Sequence, residues 1–137
     1  MAKNNIAIVL GNFHRKEMEE MLEIAKEQMK ERNLNIVKEI WVPGSLEKPL
    51  MVKKLLKDDG IDAVVVLGII EKGGTAHGLV MGQAVTKALI DLQLQYEKPI
   101  GMGIMGPEIE PEQISPRIRL HATNAVNAVA EMLILLK

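Results

Sequence analysis

Four short apolar runs recur along the chain, IAIVLG (6–11), IVKEIWV (36–42), AVVVLGII (63–70) and PIGMGIMG (99–106), with longer stretches between them. All but the second are almost continuous hydrophobics. A strand with one wet face alternates apolar and polar residues, whereas a strand covered on both faces does not. The pattern therefore calls for a parallel sheet sandwiched between helices. The intervening stretches supply those helices. Over 16–32, Met18, Met21, Leu22, Ala25 and Met29 fall three or four residues apart, which marks one amphipathic face. Pro49 suits the first turn of a second helix that runs to Gly60, because its missing N–H goes unused there. A third helix is predicted over 78–96 with Val80, Ala84, Val85, Ala88, Leu89 and Leu92 inward, and a last one from Gln113 to the C-terminus. Strict alternation of strand and helix, with right-handed crossovers, predicts a three-layer α/β domain over residues 1–137. A four-stranded flavodoxin-like parallel sheet flanked by helices is the expected form. The last helix is apolar nearly all round (AVNAVAEMLILL), which predicts packing against another copy of the chain.

Composition narrows the function. The 137 residues carry 17 basic and 18 acidic side chains, so no basic surface points to nucleic acid or an acidic membrane. Aromatic residues make up 2%, too few for a platform that stacks successive bases. Cysteine is absent, which removes disulfides, zinc thiolates and cysteine nucleophiles. No segment has the roughly 20 apolar residues of a membrane span, and the apolar run near the start is too short for a signal-peptide core. A cytoplasmic location is the expectation, with neither nucleic acid nor membrane as partner.

In open parallel sheets ligands gather beyond the carboxyl ends of the strands. The strand ends here read GNFH (11–14), VPGSLEKP (42–49), EKGGTAHG (71–78) and GIMGPEIEP (103–111). Phe13, the one phenylalanine, either caps the core or offers a face to a flat heterocycle. In EKGGTAHG, Gly73 and Gly74 let the backbone approach a ligand, and Thr75 adds a hydroxyl just before a helix N-terminus, where unsatisfied N–H groups favour an anion. The same residues also suit an ordinary capped turn. There is no GK[ST] and no GxGxxG, so generic nucleotide binding gains little. His77 is either a solvated side chain or a proton carrier beside the anion, since imidazole titrates near neutrality. Arg117 and Arg119, in SPRIRLHAT, are the cations available to complete an anion site, or else solvated arginines. His14 and His121 have no metal-ligand spacing to His77, so no metal and no cofactor are expected.

Taken in order, these segments resemble the 6,7-dimethyl-8-ribityllumazine synthases of riboflavin biosynthesis, especially the short archaeal forms. GNFH is similar to the family's G/E-x-F-N, WVPGSLEKP to VPG-x-[FS]-[ED]-x-P, and LGIIEKGGTAH to LG-x-V-I-x-G-x-T-x-H. KPIGMGI and PRIRLHAT resemble the PV-x-x-GI strand and the ER-containing start of the last helix. The resemblance implies a transferase that condenses 5-amino-6-ribitylaminouracil with 3,4-dihydroxy-2-butanone 4-phosphate, releasing phosphate and water. It implies pentamers, alone or closed into an icosahedral shell, with active sites between neighbouring subunits. Phe13 would stack on the pyrimidine, and Ser45, Leu46 and Glu47 would hold the ribityl chain. Ile69 and Ile70 would line the pyrimidine pocket, with Met102 closing it from the adjacent subunit. Gly74 and Thr75 would bind phosphate, Arg117 would add charge across the interface, and His77 would transfer protons.

Four single positions depart from that pattern: His14 replaces asparagine, Lys48 an apolar residue, Glu71 isoleucine or valine, and Gly78 an aspartate, tyrosine or phenylalanine. The basic residue often found in the last helix is also missing, with Ala122, Thr123 and Asn124 there instead. Glu71 is expected to crowd or repel the ligand, and Lys48 to pair with Glu47 or Glu71. These departures sustain two further readings: a non-catalytic pentameric or shell-forming protein that binds flavin or lumazine, and a relative of the archaeal riboflavin synthases. Against the latter stand the GGT segment and Arg117, which a substrate without phosphate does not need.

Overall fold

The computed structural model describes residues 3–137. Four strands, β1 (Asn5–Gly11), β2 (Asn35–Val42), β3 (Ala63–Glu71) and β4 (Ile100–Ile109), form one parallel sheet in the order β2-β1-β3-β4. Helix α1 (Arg15–Glu31) follows β1, α2 (Lys48–Leu56) follows β2, and α3 (His77–Tyr96) follows β3. A short α4 (Pro111–Ile114) and a 3-10 turn lead into α5 (Ile118–Leu135). This is the expected three-layer α/β arrangement.

The sheet's two faces are covered by different helices, which explains the unbroken apolar runs. Ile6, Ile8, Leu10, Val65 and Leu67 pack into one core with α1 and α5. Their neighbours Ala7, Val9, Val64 and Val66 pack into a second core with α2 and α3. Successive side chains of a strand point to opposite faces, so both sets must be apolar. The run broken by two charges, IVKEIWV, is β2, at the sheet edge, where Lys38 and Glu39 remain exposed.

Several boundaries differ from the expectation. Helix α2 stops at Leu56 rather than Gly60, and the residues between form a turn that Gly60 N–H closes on Asp58 Oδ1 at 2.8 Å. Strand β4 runs on to Ile109, where the chain was read as already past the strand. It passes a cis Gly106–Pro107 peptide, and its pairing slips so that Glu71 meets Ile109. The inner face of α3 is the largest correction. Val80 is 60% exposed and Ala84 also faces outward, while Gly78, Gly82, Val85 and Leu89 are buried. Glycine carries no hydrophobic signal, yet at these positions it lets the helix lie directly on its neighbours. A Cβ at Gly82 would come within 2.6 Å of the Pro107 ring, and one at Gly78 would overlap the Glu71 carbonyl.

Candidate active site

The ends of β1, β2 and β3 open into a cleft of about 390 Å³ lined by three of the strand-end segments and the first turns of α3. Phe13, Ser45, Leu46, Glu47, Ile69, Ile70, Thr75 and His77 all line it. Eight residues singled out in the sequence thus meet in one place, although they are spread over 65 positions of the chain. Gly74 adjoins the cleft between the lining residues Gly73 and Thr75. Nothing would meet a side chain at Gly74, so the backbone there is open to an approaching group.

Each segment is shaped by local chemistry. At the end of β1, Asn12 N–H donates to the Val42 carbonyl at 3.0 Å, which ties the GNFH turn to β2. Arg15 donates to Asn12 Oδ1 at 2.6 Å and stacks its guanidinium 3.6 Å from the Trp41 ring centroid. Phe13, held by this turn, is 49% exposed. It is a face presented to solvent and not a cap on the core. Gly44 precedes a single 3-10 turn, Ser45–Glu47, which hands directly over to α2. After β3, Gly73 takes φ +65°, a left-handed conformation that β-carbon-free glycine adopts without strain. The chain then enters α3, and His77 N–H donates to Thr75 Oγ1 at 3.2 Å. His77 is the first residue of α3, exposed at the mouth of the cleft. The remaining first-turn N–H groups of α3 carry the partial positive charge of a helix N-terminus.

Two predicted residues are elsewhere. Met102 lies on β4, half-buried against the core under α2 and α3. Arg117 lines a separate hollow with His121 and donates to the Gln113 carbonyl at 3.0 Å. Burial lowers the His121 imidazole below its ordinary value, and the Arg117 charge lowers it further. Arg119 is exposed on the surface. One chain does not bring Met102 or Arg117 to its own cleft.

Two of the four departures find partners within the chain. The Glu71 carboxylate is not loose in the cleft, because its Oε1 lies 2.5 Å from His14 Nε2. Lys48 pairs with neither Glu47 nor Glu71. The residue is 1% exposed, and Nζ donates to Ser45 Oγ at 3.2 Å. The slot that holds it exists because two strand residues lack side chains. A Cβ at Gly11 would touch Nζ at 3.4 Å, and one at Gly68 would overlap it. Desolvation lowers the amine from 10.5 to about 8, opposed by the pull of the Glu47 carboxylate. No spacing rule joins Gly11, Lys48 and Gly68, so the slot appears only in three dimensions.

Residues 3–137 match the family model described as 6,7-dimethyl-8-ribityllumazine synthase. Among similar proteins of that name, the one from Methanobrevibacter smithii is 38% identical over 96% of this chain and 95% of its own length. That from Methanothermobacter thermautotrophicus is also 38% identical, over 96% and 94%. That from Methanococcus vannielii is 37% identical, over 93% and 91%. With a family match spanning nearly every described residue and relatives alike in length, the chain belongs to the 6,7-dimethyl-8-ribityllumazine synthase family.

Proposed function

We infer that the protein is a transferase that joins 5-amino-6-ribitylaminouracil to 3,4-dihydroxy-2-butanone 4-phosphate, yielding 6,7-dimethyl-8-ribityllumazine, phosphate and water. The observation that carries this reading is the convergence of Phe13, the Ser45–Glu47 turn, Ile69–Ile70 and the 73–77 turn on one cleft, in a chain of this family. Phe13 stacks on the pyrimidine, while Ile69 and Ile70 line its pocket. Ser45 and Leu46 flank the ribityl chain, and Glu47 accepts hydrogen bonds from its hydroxyls. Gly74 and Thr75 meet the phosphate at the start of α3, where the helix dipole favours an anion.

The reaction asks little of the protein beyond positions and protons. The pyrimidine amine attacks the ketone, water leaves to give the imine, phosphate is eliminated, and ring closure expels a second water. Holding two reactants together contributes up to roughly 7–11 kcal/mol. His77, beside the departing phosphate, moves the protons and adds on the order of 10²–10⁴-fold. Neither electrons nor a Lewis acid enter the balance.

The same reading makes the protein an assembly. We propose a pentamer, alone or within an icosahedral shell, in which Met102 and Arg117 serve a neighbour's cleft. That neither lines the cleft of its own chain supports this, as do the exposed apolar residues Val80 and Leu94 on α3 and Ile134 and Leu135 on α5. The chain acts as one domain in the cytoplasm. A scaffold that only binds flavin, or a riboflavin synthase relative, is not favoured, since the similar proteins share the name of the synthase. Purified protein given both substrates is expected to form lumazine and phosphate in equal amounts, followed by absorbance and phosphate release. His77→Ala is expected to slow this about 10²-fold or more without altering the stoichiometry. Absence of product from the parent protein would refute the assignment.

A further inference from the structure

Three of the family departures are neighbours in space. His14 and Glu71 are 57 positions apart, yet their side chains meet at 2.5 Å, each about a quarter exposed. Gly78 lets α3 settle onto the Glu71 main chain, where any side chain would overlap the carbonyl. The imidazole of His14 also stands edge-on to Phe13, with ring centroids 4.2 Å apart. The carboxylate that lines the cleft, the imidazole that engages it and the aromatic face therefore form one connected unit.

We propose that the His14–Glu71 pair is a specificity element for the heterocyclic substrate: it fixes the Phe13 platform and presents a carboxylate oxygen to the N–H edge of the ring stacked there. The inference rests on the stacking of the pyrimidine against Phe13 proposed above.

Chemistry favours this occupant. His14 engages Oε1, and Oε2 has no hydrogen-bond partner among the described residues. A carboxylate only accepts hydrogen bonds, and Oε2, which is open to solvent, is free to take a donor from a ligand. An aminouracil carries amide and amine N–H groups at its rim and can satisfy that oxygen. The butanone phosphate has no N–H and is itself an anion, so the carboxylate offers it nothing at the position of the ring. One hydrogen-bonded pair thereby distinguishes two substrates that share a cleft. The backbone of His14 sits at φ 57°, a left-handed conformation unusual for a residue with a side chain. The bond to Glu71 holds that turn and with it the direction of Phe13.

Steady-state kinetics on His14→Asn, Glu71→Ile and the double variant provide the test, with each substrate varied against saturating partner. Asparagine accepts the left-handed backbone readily, so His14→Asn removes the pair while leaving the turn its preferred conformation. Direct titration of the parent with 5-amino-6-ribitylaminouracil is run alongside. We expect KM for the pyrimidine to rise about tenfold in either single variant, as for loss of a hydrogen bond to a charged group. KM for the butanone phosphate should stay within about twofold, and the double variant should be no worse than the poorer single, the mark of a coupled pair. Glu71→Gln, which keeps the shape and an acceptor oxygen, should recover part of the loss. An unchanged or lower pyrimidine KM in Glu71→Ile would overturn the proposal, and so would equal rises for both substrates or additive losses. A parent that turns over both substrates while the variants match it would defeat this inference alone. A parent that fails to bind the pyrimidine would bring down the stacking itself, and the inference with it.

Discussion

Lys48 is the one buried charged side chain among the described residues. Its amine lies in a slot made by two glycines, with Ser45 Oγ as its hydrogen-bond partner, and burial lowers it from 10.5 to about 8. Below pH 8 the amine is charged in both folded and unfolded chains, so the full burial penalty weighs on the fold, on the order of 3 kcal/mol. Between about 8 and 10.5 the folded protein releases this proton while the unfolded chain keeps it, so stability gained from this group rises with pH. Lys48→Met fills the slot without a charge. Urea unfolding at pH 7 and fixed protein concentration should show the variant more stable by roughly 1–3 kcal/mol. The gap should narrow at pH 9.5 as the parent's amine becomes neutral. A variant less stable than the parent at pH 7 would mean that the ammonium finds compensation beyond Ser45. The same lysine donates to Ser45 Oγ at the start of the turn proposed to hold the ribityl chain.

At the scale of elements, α3 decides how tightly the cleft closes. Its inner stripe is Gly78, Gly82, Val85 and Leu89, and the two glycines bring the helix onto the Glu71 carbonyl and the Pro107 ring. Replacing Gly82 by valine demands space already held by Pro107, with contacts starting at 2.6 Å. We expect a loss of about 1–3 kcal/mol from overpacking, read as a lower urea midpoint with the slope unchanged. An unaffected midpoint would show that Pro107 yields freely. This helix also shows why some of the structure was legible beforehand and some was not. The strands could be read because burial on two faces leaves an unbroken apolar run, and β2 stood out because its residues Val37, Lys38 and Glu39 are exposed. On the inner face of α3, hydrophobic periodicity marks Val85 and Leu89 but not Gly78 and Gly82, because close approach is written in glycine, which such periodicity ignores. Much of the cleft could be anticipated, since ligands collect at strand ends and each end here carried glycine, proline or a lone aromatic residue. The Lys48 slot and the tie between His14 and Glu71 each join residues far apart in the chain. Periodicity along the sequence holds no record of such contacts.

For the whole molecule the question is whether one chain is sufficient. The cleft contains Phe13, the Ser45–Glu47 turn and His77, but Arg117 lies over a different hollow, beside His121. A head-to-tail ring solves this geometrically, because each interface then pairs the cleft of one subunit with the last-helix region of the next. The exposed residues Ile134, Leu135 and Leu136 near the end of α5 provide apolar surface for such contacts. Shared sites make a prediction that a self-contained cleft does not. His77→Ala and Arg117→Ala should each be nearly inactive alone. Mixed, unfolded and reassembled together, they should form rings in which some interfaces combine an intact His77 with an intact Arg117. With equal amounts and random order, about a quarter of interfaces are whole, so activity should return to about a quarter of the parent's. If both residues served the cleft of their own chain, every subunit would carry one defect and mixing would restore nothing. Sedimentation of the same samples separates the outcomes from a failure to assemble, since rings that form without regaining activity would refute site sharing, and chains that remain monomeric while active in the parent would refute the ring.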